Sequence, residues 1–109
     1  MKIVCDGEVT CILIPSKFDT LKSSEVEAGL LKVVNSGAKK ILCDFSKTEY
    51  ISSSGLRVIL SIAKKLQRNG GKIVLSSIKP FVYDVFKIAA FDKIFNIYET
   101  KAQALKVLS

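Results

Sequence analysis

The chain has 109 residues, 49% of them hydrophobic, and a formal net charge of +7. No apolar run reaches the ~18 residues of a membrane-spanning helix, and Asp6 comes too early for a signal peptide, so we expect a cytoplasmic protein without a membrane span. The chain has no histidine, which excludes serine–histidine and cysteine–histidine nucleophile pairs and makes a zinc site very improbable. We therefore expect no metal, no cofactor and no enzymatic activity.

The length fits a single domain over residues 1–109, because no linker, repeat or low-complexity stretch divides the chain. Basic residues are spread along the sequence without a block of five, so nucleic acid is not the expected partner. The three cysteines, Cys5, Cys11 and Cys43, lie in apolar, strand-like runs. This setting predicts buried, reduced thiols.

The first predicted element is a β-hairpin. Two apolar runs, residues 3–5 and 9–14, flank Asp6-Gly7, and both of these residues tolerate positive φ. Pro15 has no amide to donate, so the second strand should end near it.

A first helix is predicted near Ser24, because Ser24 and Glu27 have the spacing of a capping box. Gly37 is suited to end this helix. Residues 40–45 then predict a strand buried on both faces.

A second helix is predicted from Ser53 or Ser54 to about Arg68, followed by a helix-ending Asn-Gly-Gly at residues 69–71. Residues 72–76 indicate another buried strand.

The last third of the chain predicts a helix, a strand and a further helix. Pro80 suits the first turn of a helix that reaches about Ile88, and residues 94–98 predict a short strand. Thr100 and Gln103 have the spacing of a capping box that opens a final helix to Leu108.

The predicted order is β-β-α-β-α-β-α-β-α. Strands that alternate with helices form mainly parallel sheets, since each helix returns the chain in the same direction. The fold class is therefore α/β, with a mainly parallel sheet of four to five strands, an amino-terminal hairpin at or near an edge, and about four helices.

Three consecutive serines, Ser52, Ser53 and Ser54, precede the second predicted helix at the carboxyl edge of the sheet, where sites of open α/β sheets lie. One interpretation is structural: one hydroxyl caps the helix and the others solvate the loop. The other is that one serine accepts a phosphoryl group, an anion that a helix amino terminus stabilises.

The second helix carries an apolar stripe formed by Leu56, Ile59, Leu60, Ala63 and Leu66. Val58 and Ile62 lie on the flank of this stripe, beside a basic arc. They either pack under a neighbouring helix or form a solvent-facing apolar pair for a partner with an acidic face.

The segment from Asp44-Phe45-Ser46 to Tyr50-Ile51-Ser52-Ser53-Ser54-Gly55-Leu56 resembles the STAS domain of bacterial anti-sigma factor antagonists. In that family an aspartate-ending strand and a short loop lead to Asp-Ser-Ser-Gly-Leu at a helix start. Phe18-Asp19 is similar to the family's Gly-x-Leu-Asp, and residues 70–75 form a weaker match.

The resemblance implies that the unphosphorylated chain binds an anti-sigma factor with ATP-dependent serine-kinase activity. Phosphorylation of Ser53 would end the binding and a phosphatase would restore it. The partner-binding residues expected are Asp19, Ser52, Ser54 and Gly55 from the resemblance, and Val58 and Ile62 from the flank of the second helix. The chain departs from the family pattern at Ser52, which replaces an aspartate, and at Ser16, which replaces a glycine.

Two alternatives remain open at this point. Ser52 in place of the aspartate is compatible with a STAS-like scaffold or transport-complex subunit that binds protein without being phosphorylated. An enzyme or a binder of a small anion would use the same loops, with Asp19 and Asp44 as the candidate acids but no second catalytic group.

Overall fold

A computed structural model describes residues 2–108, which form a five-stranded mixed sheet, a two-stranded parallel ribbon and four α-helices. The strands are β1 (Lys2–Asp6), β2 (Val9–Leu13), β3 (Lys17–Phe18), β4 (Lys40–Asp44), β5 (Tyr50–Ile51), β6 (Lys72–Ser76) and β7 (Asn96–Tyr98). The helices are α1 (Thr20–Asn35), α2 (Ser53–Arg68), α3 (Pro80–Ile88) and α4 (Lys101–Leu108), with a 3₁₀ turn at Phe91–Lys93.

The main sheet has the strand order β1-β2-β4-β6-β7. Helices α1, α2 and α3 each connect two neighbouring parallel strands, and only the β1–β2 hairpin is antiparallel. The predicted α/β class, the edge hairpin and the number of helices are confirmed. The turn of the hairpin is Gly7-Glu8 rather than Asp6-Gly7, because Asp6 still pairs with Val9 and Gly7 takes the positive φ of 63°.

The core lies on both faces of the sheet. On one face Ile41 and Cys43 pack in the cluster that α1, α2 and α3 cover, where the Phe45 and Phe86 rings meet edge to face at 5.6 Å. On the other face Leu42 packs with residues of α4. Alternating side chains of β4 thus enter different cores, which explains why the strand is apolar from Ile41 to Cys43.

The local signals near the carboxyl end of the chain are confirmed. Helix α3 begins at Pro80 and ends at Ile88. Thr100 and Gln103 form the capping box: the Gln103 amide donates to Thr100 Oγ1 at 3.1 Å, and the Thr100 amide donates to Gln103 Oε1 at 3.4 Å.

The predicted start of α1 is wrong by four residues. The helix begins at Thr20 because Asp19 caps it: the Lys22 amide donates to Asp19 Oδ1 at 2.9 Å. The Ser23 hydroxyl adds a bond to the Asp19 carbonyl oxygen at 2.8 Å. Ser24 therefore lies inside the helix and caps nothing.

The prediction of three buried thiols holds for Cys11 and Cys43 and is wrong for Cys5. Cys5 lies in β1, the outermost strand of the sheet, and every residue of that strand is exposed. An apolar run does not ensure burial where no helix covers the strand.

No helix formed by residues 2–108 is both long and apolar enough to cross a membrane.

Candidate functional site

The loops that follow β2 and β4 are joined by the parallel ribbon of β3 and β5, in which Lys17 pairs with Tyr50 and Phe18 with Ile51. The carbonyl oxygen of Ser16 accepts the Glu49 amide at 2.8 Å, just before the ribbon. The residues that follow the ribbon are the starts of α1 and α2. The ribbon therefore places these two helix starts side by side at the carboxyl edge of the sheet.

Thr48 connects the same two loops through hydrogen bonds on their buried side. Its side chain is fully buried, and its Oγ1 lies 3.1 Å from the carbonyl oxygen of Pro15 and 3.3 Å from that of Ile14. Its amide donates to the Phe45 carbonyl oxygen at 2.9 Å. Sequence reasoning missed this residue because a threonine in a polar loop gives no sign of burial.

Ser52 is the amino-terminal cap of α2. Its Oγ accepts the Gly55 amide at 3.1 Å, and its carbonyl oxygen accepts the Leu56 amide at 3.1 Å. The capping role proposed for one of the three serines therefore belongs to Ser52, and α2 begins at Ser53 as predicted.

Gly55 allows α2 to pack closely against the ribbon. A Cβ at this position would lie 3.0 Å from both the carbonyl oxygen of Phe18 and Cγ1 of Ile51. A side chain here would push its neighbours apart by a few tenths of an ångström, so the limited space favours glycine, while its backbone is ordinary helix. Its buried location makes Gly55 a support for the serine run, with no side chain of its own to offer a partner.

The three serines differ in accessibility. Ser53 is exposed, whereas Ser52 and Ser54 are half-buried. Ser53 is the first helical residue, and the amides at a helix start have no acceptor within the helix. Ser53 is therefore the most accessible of the three residues, and it lies where a negative charge is favoured.

Ser54 faces the neighbouring helix. It lines an open groove between α1 and α2, together with Thr20, Ser24, Glu27, Arg57 and Ser61 among others. Most of the groove wall is made of hydroxyl groups. Arg57, one turn after Ser53, is exposed and supplies the positive charge in this groove.

Val58 and Ile62 do not form a solvent-facing pair, and that alternative is wrong. Val58 is 7% exposed and Ile62 0%, in the same core cluster as Val26 and Leu30 of α1. Helix α1 covers this flank of α2, so the other alternative, packing under a neighbouring helix, is correct. Arg57, which belongs to the basic arc beside them, is exposed.

The exposed apolar side chains near the serine run come from other elements. Tyr50, in β5, is 53% exposed, and Leu21, in the first turn of α1, is 87% exposed. Tyr50 pairs with Lys17 in the ribbon, and Leu21 follows the ribbon residue Phe18 by three positions. Sequence reasoning missed them; the available signal was a large apolar residue outside every predicted stripe.

The side chains of Asp19 and Asp44 both accept hydrogen bonds from backbone amides. Asp19 caps α1, and Asp44 accepts the amide of Ser46 at 2.9 Å. Within residues 2–108, no three or more histidine, cysteine, aspartate or glutamate side chains group closely enough to hold a metal ion. The geometry brings together Asp19, Ser52, Ser53, Ser54 and Gly55, and assigns structural roles to three of them.

The STAS domain family model matches residues 1–104 of this chain. BtrV of Bordetella bronchiseptica, described as an anti-sigma factor antagonist, is 36% identical over 86 residues, which are 79% of this chain and 74% of that protein. A protein of Thermotoga maritima with the same description is 31% identical over 107 residues, which are 96% of this chain and 92% of that protein.

Solved structures share the fold. A crystal structure of an anti-sigma factor antagonist from Thermotoga maritima matches with a TM-score of 0.92 at 26% identity, over 98% of this chain and 92% of that one. The unphosphorylated form of SpoIIAA from Bacillus matches with a TM-score of 0.84 at 19% identity, over 95% and 91% of the two chains. With the fold, the helix-start serines and the sequence match in agreement, the chain belongs to the STAS domain family.

Proposed function

We propose that this chain is an anti-sigma factor antagonist whose binding to a kinase-type anti-sigma factor is ended by phosphorylation of Ser53 and restored by a phosphatase. Its relatives are described as anti-sigma factor antagonists. The observation that carries the proposal is that Ser53 is the exposed member of the serine run, on the first turn of α2.

The proposed chemistry is phosphoryl transfer from ATP bound by the partner. A bond forms between Ser53 Oγ and the γ-phosphorus, the bond to the β,γ-bridging oxygen breaks, ADP leaves, and a base of the kinase takes the hydroxyl proton. This chain supplies the acceptor and its position. The amides at the start of α2 and the charge of Arg57 one turn later favour the resulting phosphate.

The environment of Ser53 explains why a phosphate would end binding. Tyr50 lies three residues before Ser53, and Leu21 lies in the first turn of α1, the helix that starts beside α2; both are exposed. A partner that covers this edge of the sheet also removes water from Ser53. A phosphate carries about −1.5 to −2 charges at neutral pH. The start of α2 stabilises such a charge in water by only about 0.3–1 kcal/mol. A partner that offers no basic group would bury the phosphate without full compensation, which costs about 3–5 kcal/mol and weakens binding at least about 100-fold.

Ser52 is compatible with this proposal. Serine and aspartate cap helices about equally well, so the change from the family's aspartate keeps the helix start intact. Serine at position 52 also means that no carboxylate stands next to Ser53, so a phosphate on Ser53 would not be repelled by a neighbouring negative charge.

The binding test uses the kinase-type anti-sigma factor of the source organism and calorimetric titration. We expect Ser53→Ala to bind like the wild type and Ser53→Asp to bind at least about 100-fold more weakly. Gln67→Glu, an equal charge change at an exposed position near the far end of α2, is the matched control and should bind nearly normally. Equal affinities for Ser53→Asp and Gln67→Glu would refute the proposed role of Ser53.

A second candidate function is favoured by the same Ser52: a STAS scaffold or transport-complex subunit that is never phosphorylated. Incubation with the kinase and Mg-ATP, followed by intact mass measurement, separates the two. The main proposal expects the mass of one phosphoryl group on the wild type and none on Ser53→Ala. An unmodified wild type, with Ser52→Asp becoming modified under the same conditions, would favour the scaffold.

A further inference from the structure

Strand β1 has an open edge. It pairs with β2 on one side, and no other described residue pairs with its second side. All five of its residues are exposed, with Ile3 and Val4 each 43% exposed. Its register with β2 is one to one, without a bulge, and it contains no proline. Two features that usually protect an edge strand from pairing, a bulge and a proline, are therefore absent from β1, and its charged residues are confined to the two ends, Lys2 and Asp6.

The direction of the free backbone groups follows from the hairpin. Asp6 and Val9 flank a two-residue turn, so they form a hydrogen-bonded pair. Asp6, Val4 and Lys2 therefore direct their amide and carbonyl groups toward β2. Ile3 and Cys5 direct theirs toward the open edge.

We propose that β1 pairs antiparallel with β1 of a second copy of this chain, about a twofold axis at Val4. In this register Ile3 lies opposite Cys5 of the second copy, and these outward-facing residues exchange four backbone hydrogen bonds over the two equivalent pairs. Val4 lies opposite its own equivalent. Lys2 lies opposite Asp6, so opposite charges meet at both ends of the paired strands.

The other symmetric registers are poorer. Centring the axis on Cys5 places Ile3 opposite Gly7, which is already in the turn with a φ of 63°. Centring it on Ile3 leaves Asp6 with no residue of β1 opposite it. Only the axis at Val4 pairs all five residues and complements both charges.

The pairing would join two five-stranded sheets into one of ten strands. Because β1 of the two copies runs antiparallel, the carboxyl edges of the two sheets lie at opposite ends of the dimer. Both Ser53 sites remain uncovered, so the dimer neither needs nor excludes the proposed function. A contact of two short strands is small, so we expect weak, concentration-dependent association.

Sedimentation equilibrium from micromolar to millimolar concentration tests the charge pairing. Lys2→Asp and Asp6→Lys each place like charges opposite each other, and each should weaken dimerisation roughly tenfold. The double variant Lys2→Asp/Asp6→Lys restores opposite charges and should restore dimerisation. Circular dichroism of each variant confirms that it is folded. A wild type that stays monomeric at millimolar concentration, or a double variant no better than the single ones, would overturn the proposal.

Disulfide trapping tests the register independently. In a Cys5→Ser background, Val4→Cys places two thiols opposite each other in a non-hydrogen-bonded pair, where Cα atoms are about 4.5 Å apart and a disulfide can form. Ile3→Cys in the same background is the control, because residue 3 lies opposite residue 5 of the second copy. We expect covalent dimer from Val4→Cys at least tenfold faster. Equal rates would rule out the axis at Val4.

Discussion

The backbone amide of Ser52 donates a hydrogen bond to the carbonyl oxygen of Phe18 at 2.9 Å. Ser52 caps α2, and the residue after Phe18, Asp19, caps α1. A single main-chain bond therefore connects the two helix starts that border the exposed Ser53. The Phe18 ring is fully buried beneath them, which fixes this connection to the core.

Replacing Gly55 should show how closely α2 is packed against the ribbon. Alanine normally favours a helix over glycine by up to about 1 kcal/mol, whereas overpacking costs about 1–3 kcal/mol. The contact is with the Phe18 carbonyl oxygen, which is held by the Ser52 amide and cannot easily move. We expect Gly55→Ala to lower the free energy of unfolding by about 1 kcal/mol, measured by chemical denaturation.

Gly29→Ala is the matched control, because Gly29 lies within α1 and lines an open groove. It should be neutral or stabilising by up to about 1 kcal/mol. Stabilisation by both substitutions would contradict the close approach at Gly55.

Thr48 should be sensitive to loss of its hydroxyl rather than of its shape. Thr48→Val keeps the volume but leaves the carbonyl oxygens of Ile14 and Pro15 without this donor, so we expect a loss of about 1–3 kcal/mol in the free energy of unfolding. Thr48→Ser keeps the hydroxyl and should retain more of the stability than Thr48→Val. The opposite ranking in urea denaturation would show that methyl packing matters more than the hydrogen bonds.

A negative charge at residue 53 should stabilise the isolated protein. The amino terminus of α2 favours an anion by about 0.3–1 kcal/mol at low ionic strength, and Arg57 lies one turn away. Ser53→Asp should therefore raise the melting temperature, Ser53→Lys should lower it, and both shifts should shrink in high salt. Indistinguishable melting temperatures at low salt would argue against a favourable anion position.

Cys43 should make stability depend on alkaline pH. Burial, with a smaller contribution from the charge of Asp44, raises the pKa of the Cys43 thiol from 9.0 to about 12. Between these values the unfolded chain releases a proton that the native protein keeps, so stability is fully present below about pH 9 and falls as the pH rises toward 12. The slope from this group is about 1.4 kcal/mol per pH unit.

Denaturation of the wild type and of Cys43→Ala at several pH values above 9 checks this expectation. The variant starts from a lower stability because it leaves a small cavity, but its stability should fall less steeply with pH. Parallel curves would show that other groups account for the alkaline dependence.

Sequence reasoning succeeded for two local signals near the carboxyl end of the chain, whereas the Ser24–Glu27 spacing misled because Asp19 caps α1. Pro80 fixed the start of α3, and the spacing of Thr100 and Gln103 fixed the start of α4. It failed for β3 and β5, because two-residue strands are too short to show any periodicity. The placement of Thr48 depends on these strands and was missed with them.

The candidate site was predicted only in part, because some of its features depend on local sequence and others on how the helices pack. The serine run at a helix start was recognisable from local residues, and the structure distinguishes its members by burial. Which face of α2 is buried was not predictable. Helical spacing places Val58 and Ile62 beside the apolar stripe, but the position of α1 determines whether that flank is covered. Tyr50 and Leu21 were missed because exposure depends on the absence of a covering element.

The ribbon beside the serine run is held by main-chain atoms, while the side chains of Lys17 and Tyr50 point into solvent. The pairing of β3 with β5 therefore does not depend on which side chains stand at positions 17 and 50. Substitutions at positions 17 and 50 should therefore change the surface that a binding protein meets without displacing the Ser53 hydroxyl.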